Sequence, residues 1–372
     1  MIASLARILA ILRKEFIQMR RDRVTFAMML VVPVMQLLLF GYAINTDPKH
    51  LPAALVAPTQ DRFTRAMTAA LENTGYYDFT HPDATAAQAE RLIATGKVAF
   101  VVTVPSDFGA RLLRGDRPQI LIEADATDPA AASGAISTLG TVSAQALTRE
   151  LGVTVTPASG PEIVVHRRYN PEGLTQYNVV PGLLGIILQM TMVMMTSMAL
   201  TREIERGTME NLLSMPVHAA EIMVGKITPF IGVGAVQMLV ILGAAAVLFD
   251  VPFVGSVGLL LSGVLLFVLA LVLLGYLISS VARTQMQAMQ LSIFVFLPSI
   301  LLSGFMFPFR GMPGWAQTLG EILPVTHLLR LVRGVMLKGA TPVDVAGQFG
   351  ALAIIVVLLA SVAVFRFRKT LD

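Results

Sequence analysis

The side chains best placed to do chemistry in this sequence are the charges packed into TREIERGTMENLLSMPVHAAEIMVGK, Thr201–Lys226. Arg206 and Glu210 lie four residues apart, and Arg202 with Glu205 and Glu203 with Arg206 lie three apart. Those spacings set opposite charges side by side on one helix. Gly207 loosens such a helix and Pro216 stops it, while Met209, Leu212, Leu213 and Met215 supply an apolar side. The combination suits docking into a partner's groove; the plainer alternative is a solvated loop whose charges only set topology. Bond-breaking chemistry finds no support. The histidines His50, His81, His166, His218 and His327 are scattered without metal-ligand spacing, and no GxSxG or HExxH occurs. Without cysteine there is neither a thiolate nucleophile nor a disulfide. The fragment VGKIT, Val224–Thr228, lacks the glycine-rich phosphate cradle, so the chain does not hydrolyse nucleotide by a P-loop of its own.

Two further groups stand out. Met190, Met194 and Met198 form a stripe beside Met192 and Met195. Methionine suits adaptable apolar surfaces and, as a soft donor, copper(I); ordinary helix packing is the plain alternative. Gln36, Gln189, Gln237 and Gln290 are amides within apolar runs, where hydrogen bonding between helices is the commoner use. From Pro308 to Asp344, Arg310, Arg330, Arg333 and Lys338 interleave with Leu319, Ile322, Leu328, Leu331 and Val335 near helical spacing. Re-entrant or interfacial helices account for that mixture, with apolar faces in the membrane, Arg snorkelling to the surface and Trp315 as an interfacial anchor. A surface-lying amphipathic helix is the alternative.

The elements that must position these residues belong to a membrane protein. Of 372 residues 55% are hydrophobic and only 14% charged, and the mean hydropathy is +0.71; soluble domains carry roughly 25% charge. The net charge of +4 is modest, and the basic residues cluster beside apolar runs, which argues against nucleic acid. The first run, Val24–Ile44, would be about 31 Å long as a helix, close to the roughly 30 Å of a hydrocarbon core. It follows a basic segment at 1–23, so the positive-inside rule puts the N-terminus in the cytoplasm. Five more spans are predicted at Val179–Leu200, Ile227–Phe249, Val257–Ser279, Gln287–Phe307 and Gln348–Phe365. The expected fold is a polytopic helical membrane protein of six spans with both termini cytoplasmic. An α/β extracytoplasmic domain at 45–177 is inserted between the first and second spans, and 178–372 forms the remaining five-helix region. In that domain PAALVA, KVAFVVTVP, PQILIEAD and EIVVHRRYN read as strands. The helices between them are one capped by Asp61, one from Thr85 to Thr95 closed by Gly96, and one rich in alanine from about Asp128 to Leu151.

The block REIERGTMENLLSMPV…EIMVGK resembles the first cytoplasmic loop of type-2 ABC exporter permeases. LLSGFMFPFRGMPGWAQTLGEILPVTHLLRLVRGVMLKG is similar to that family's signature after the fifth span. The order of parts agrees over most of the chain, and the subgroup resembled is linked to efflux of drugs and other amphipathic compounds. The resemblance implies a half-transporter: two permeases, identical or paralogous, above separate ATPase subunits that bind ATP and magnesium, with no cofactor on this chain. By the same carry-over Arg202, Glu203, Glu205, Arg206, Gly207, Thr208, Glu210 and Asn211 form the coupling helix, within 201–226, that meets the ATPase. The segment 1–23 lies as an amphipathic helix on the inner lipid surface. Gln36, Gln189, Met190, Met194 and Met198 are candidates for the path of an amphipathic molecule, drug-like or lipid-like, outward across a bacterial inner membrane. Pro308, Arg310, Trp315, Pro324, Arg330 and Arg333 mark the outer re-entrant segment, 308–344. The outer domain would guard the exit or dock a periplasmic adaptor. The rival readings are an exporter of an envelope glycan or lipid, and a membrane sensor whose outer domain binds a ligand.

Overall fold

The computed structural model describes residues 48–127, 129–152, 154–156, 160–207 and 219–369. The basic segment 1–23, the run Val24–Ile44 with Gln36, and Thr208, Glu210 and Asn211 lie outside the described residues.

Five strands form one sheet in the order β2-β1-β3-β4-β5: β1 Leu51–Val56, β2 Tyr77–His81, β3 Phe100–Thr103, β4 Gln119–Asp125 and β5 Glu162–Arg168. β1 is parallel to both its neighbours, β4 antiparallel to β3 and parallel to β5. Parallel neighbours need crossover connections, supplied by α1 Arg62–Asn73, α2 Ala86–Ala94 and α4 Pro129–Leu151; α3 Phe108–Leu113 joins the antiparallel pair. Asp61 caps α1 by accepting from Thr64 N at 2.8 Å, and Thr85 with Gln88 forms a reciprocal capping box on α2. Side chains alternate across the sheet. Leu55, Tyr77, Phe100 and Ile122 pack with Phe63, Met67 and Leu147 on one face, while Ala54, Val56 and Val101 meet Ala89 and Ile93 of α2 on the other. The sheet has one strand more than the four expected. β2 is only YDFTH, an edge strand that buries just Tyr77 and Phe79, so its polar alternates hide it in the sequence.

The rest of the chain is helical: α5 Thr175–Glu205, α6 Ala219–Phe249, α7 Val257–Val281, α8 Gln285–Leu302, a 3₁₀ turn Phe309–Gly311, α9 Gly314–Ile322, α10 Pro324–Lys338 and α11 Ala346–Lys369. Among the described residues, five helices are long and apolar enough to cross a membrane: α5, α6, α7, α8 and α11. The apolar windows of α5 and α7 are 56% and 50% buried, against 17% for α6 and 11% for α11. α5 and α7 are therefore the hub, and among the described residues α6 and α11 turn most of their apolar surface outward. α10 packs among α5, α7 and α11 and buries Leu328, Leu331, Val332 and Val335.

Several span boundaries differ from the expectation. α5 runs on through Glu205, so Arg202–Glu205 extend the apolar helix and do not begin a new one; α6 starts at Ala219, ahead of Ile227. α8 stops at Leu302, where Gly304 adopts φ +84° and turns the chain well before Phe307. The sheet domain sits at one end of the helical layer, the domain side. The end of α5 and the α7–α8 turn form the far side.

Candidate functional site

The far side is organised by the end of α5. Gly207 has φ +71°, a left-handed conformation that ends the helix, and Arg206 N donates to Arg202 O at 3.1 Å. Two charged side chains of this last turn, Arg202 and Glu205, reach the same residue. Arg202 Nε donates to Gln285 Oε1 at 3.2 Å, while Gln285 donates to Glu205 Oε2 through Nε2 at 3.0 Å and through its backbone N at 3.4 Å. Gln285 opens α8, so the Glu205 carboxylate lies at a helix N-terminus, where negative charge is favoured. Arg283 N donates to Gln287 Oε1 at 2.9 Å, tying the α7–α8 turn to the same helix start. Arg202, Glu203, Glu205, Arg206 and Gly207 thus share one end of the layer. Gln285 was missed because a neutral amide carries no charge pattern.

Midway along the layer, Gln189, Met190 and Met194 line a narrow groove of about 20 Å³ with Ser292, Ile293 and Phe296 of α8. Met198 does not line it. Gln189 is buried and its Oε1 has no hydrogen-bond partner among the described residues. Of the remaining amides, Gln237 accepts from Thr191 Oγ1 at 2.8 Å, joining α6 to α5. The methionines divide: Met192 is fully buried, Met190 and Met195 are about half exposed.

On the domain side the basic residues are fasteners. Pro324 opens α10, where its missing N–H is not needed, and Gly339 closes it with φ +66°. Arg330 grips Glu321 with two bonds of 3.0 and 2.6 Å and stacks over the Phe309 ring at 4.5 Å. Arg333 donates to Gly304 O at 3.1 Å and to Asn178 Oδ1 at 2.5 Å, holding the start of α5. Arg310 donates to Gly96 O in the sheet domain. Lys338 donates to Asp125 Oδ2 at 2.5 Å and Ile93 O at 3.3 Å, and the two charged side chains are only 9% and 14% exposed. Burial pushes the Tyr169 phenol up to about 12, with Asp125 adding to it, beneath the Lys338 ammonium at 5.1 Å.

Beneath these fasteners lies a cavity of about 480 Å³ between the sheet domain and the helices. Pro308, Arg310, Arg330 and Arg333 line it; Trp315 and Pro324 do not. Asp125, Ser303 and Lys338 add to its polar wall, with Thr95, Thr127, Gln317, Asp344 and Gln348. Burial lowers the Arg310 pKa, the Arg330 charge lowers it further, and Asp125 opposes both. Asp125 and Ser303 carried no usable signal in the sequence, being one strand-end acid and one serine among many. Among the described residues no group of three His, Cys, Asp or Glu side chains is arranged to hold a metal ion.

The sequence model described as ABC-2 family transporter protein matches residues 23–365. The chain is 30% identical over 352 residues to the probable multidrug ABC transporter permease YbhS of Escherichia coli, covering 92% of this chain and 91% of that one. It is 28% identical over 364 residues to YbhR of the same organism, also named a probable multidrug ABC transporter permease, covering 98% of each chain. The inner membrane transport permease YhhJ of Escherichia coli is 32% identical over 301 residues, 77% of each. Five membrane-length helices, a sheet domain fastened to one end of them and a charged joint at the other are thus joined to a family match over nearly the whole chain, which belongs to the ABC-2 family of transporter proteins.

Proposed function

We propose that this chain is the permease half of an exporter that moves an amphipathic compound outward across a bacterial inner membrane, using ATP hydrolysed by a separate subunit. The names of YbhS and YbhR, probable multidrug ABC transporter permeases, support a drug-like substrate, and the missing P-loop supports an engine on another chain. In this reading Val24–Ile44 is a sixth span, both termini are cytoplasmic and the sheet domain, inserted between the first and second spans, is outside. A second permease covers part of the outward apolar surface of α6 and α11. The observation that carries the reading is the shared hold of Arg202 and Glu205 on Gln285. A push received on 201–211 would reach α8 at once, and α8 forms one wall of the groove lined by Gln189, Met190 and Met194. Arg202, Glu203, Arg206, Gly207, Thr208, Glu210 and Asn211 would meet the ATPase, with Glu205 joining that contact to α8. Gln36 and Met198 would extend the substrate path.

The test is co-purification of the tagged full-length chain from its native membrane in mild detergent. An ATPase subunit is expected with the wild type. It should be lost from the double variant Glu205→Arg, Glu210→Arg, which should still insert. A double variant that keeps substrate-stimulated ATPase activity would overturn the coupling role.

A further inference from the structure

The cavity on the domain side has no part in that coupling, and its charges do not cancel. Lys338 is paired with Asp125 and Arg330 with Glu321. Asp344 spends its carboxylate on Thr341, accepting from N at 2.8 Å and Oγ1 at 2.7 Å, hydrogen bonds that lower its pKa. Arg310 remains. It is partly buried and held by a backbone carbonyl, and among the described residues no carboxylate lies within ion-pair distance of it. A guanidinium withdrawn from water calls for a counter-charge. On the same wall Ser303 is 3% exposed, and its hydroxyl has no hydrogen-bond partner among the described residues. A buried hydroxyl left unmatched is likewise a cost that a ligand would remove. The lining also carries apolar side chains, among them Leu51, Phe309 and Leu329, beside the polar Thr95, Thr127, Gln317 and Gln348. A volume of about 480 Å³ is that of a small-molecule site.

We propose that this cavity binds the phosphate-type oxyanion of an amphiphile, with Arg310 as counter-charge, Ser303 as hydrogen-bond donor and the apolar part of the ligand against Phe309 and Leu329. The proposal rests on the permease reading only for what brings an amphiphile to this end of the membrane. The oxyanion itself could come from a lipid head group or from free phosphate.

The full-length protein in neutral detergent is titrated with three probes, and bound ligand is counted by native mass spectrometry. The probes are dioctanoyl phosphatidylglycerol, dioctanoylglycerol with the same tails and no phosphate, and inorganic phosphate. The phospholipid is expected to bind at least about tenfold more tightly than dioctanoylglycerol, the usual worth of a charge-assisted hydrogen bond. Arg310→Gln should remove that preference and Arg310→Lys keep most of it. Because Arg310 also holds Gly96, Ser303→Ala serves as the second variant; it breaks no existing contact and should weaken phospholipid binding about threefold. Inorganic phosphate binding as tightly as the phospholipid would identify a free anion as the ligand, and a tighter phospholipid a head group; both leave the oxyanion site standing. Equal affinity for the two tailed probes, or phospholipid affinity unchanged in both Arg310→Gln and Ser303→Ala, would overturn it. Neither result depends on an ATPase, so the site and the coupling role fail separately.

Discussion

Gly275 of α7 shows how much of this layer depends on single atoms. A Cβ built there would lie 2.8 Å from Thr196 Cβ and 3.0 Å from Val193 O of α5, and the backbone oxygen cannot step aside. Gly275→Ala is expected to cost about 1–3 kcal/mol by overpacking, read as a lower melting temperature of the purified protein. An unchanged melting temperature would mean that α5 and α7 part freely. Glu205 makes a sharper distinction in the assembled complex. Glu205→Gln keeps an oxygen for Gln285 Nε2 and should retain most ATPase-driven transport. Glu205→Arg removes the acceptor and puts positive charge at the start of α8, and it should lose about tenfold or more. Equal transport by the two variants would remove Glu205 from the joint. The local half of this arrangement was legible: Arg202 and Glu205 stand three apart on one helix face. Their common partner, 83 and 80 residues further on, was not, because an amide in a polar turn looks like any other.

Among the elements, β1, β3, β4 and β5 announced themselves as apolar runs bounded by turn residues, and α1 and α2 by their caps. The fastening of the sheet domain to α10 left no such trace. Asp125 and Lys338 are 213 residues apart, and each alone is an ordinary charge beside an apolar run. Their pairing follows from the folded path of the chain, which brings the end of β4 to the end of α10. Removing one partner of a largely buried pair strands the other charge. Lys338→Ala or Asp125→Ala should therefore each cost about 3 kcal/mol and raise the rate at which protease clips the sheet domain in purified protein. Exchanging the charges, Lys338→Asp with Asp125→Lys, should recover part of the loss. If neither single variant changes the clipping rate, the domain is held by its other contacts alone.

For the whole molecule, the absence of cysteine makes orientation directly measurable. Ser106, exposed on the sheet domain, and Met286, exposed at the far side, can each be replaced in turn by cysteine. With the domain outside, Ser106→Cys should react with a membrane-impermeant maleimide in intact cells, and Met286→Cys only after permeabilisation; the reverse pattern would invert the proposed topology. The path that joins these two sides is short. β5 ends at Arg168 and α5 begins at Thr175. Asn170 stiffens the turn between them, donating to Leu174 O at 3.0 Å and accepting from Leu174 N at 2.9 Å. α5 then runs 31 residues, about 46 Å, to the charged joint. Near its start Pro181 deletes one helical hydrogen bond, to Tyr177. Sheet and joint are therefore the two ends of one connecting rod with a single built-in knuckle. Motion entering at either end would reach the other as a stroke or a twist, through the turn that Asn170 braces.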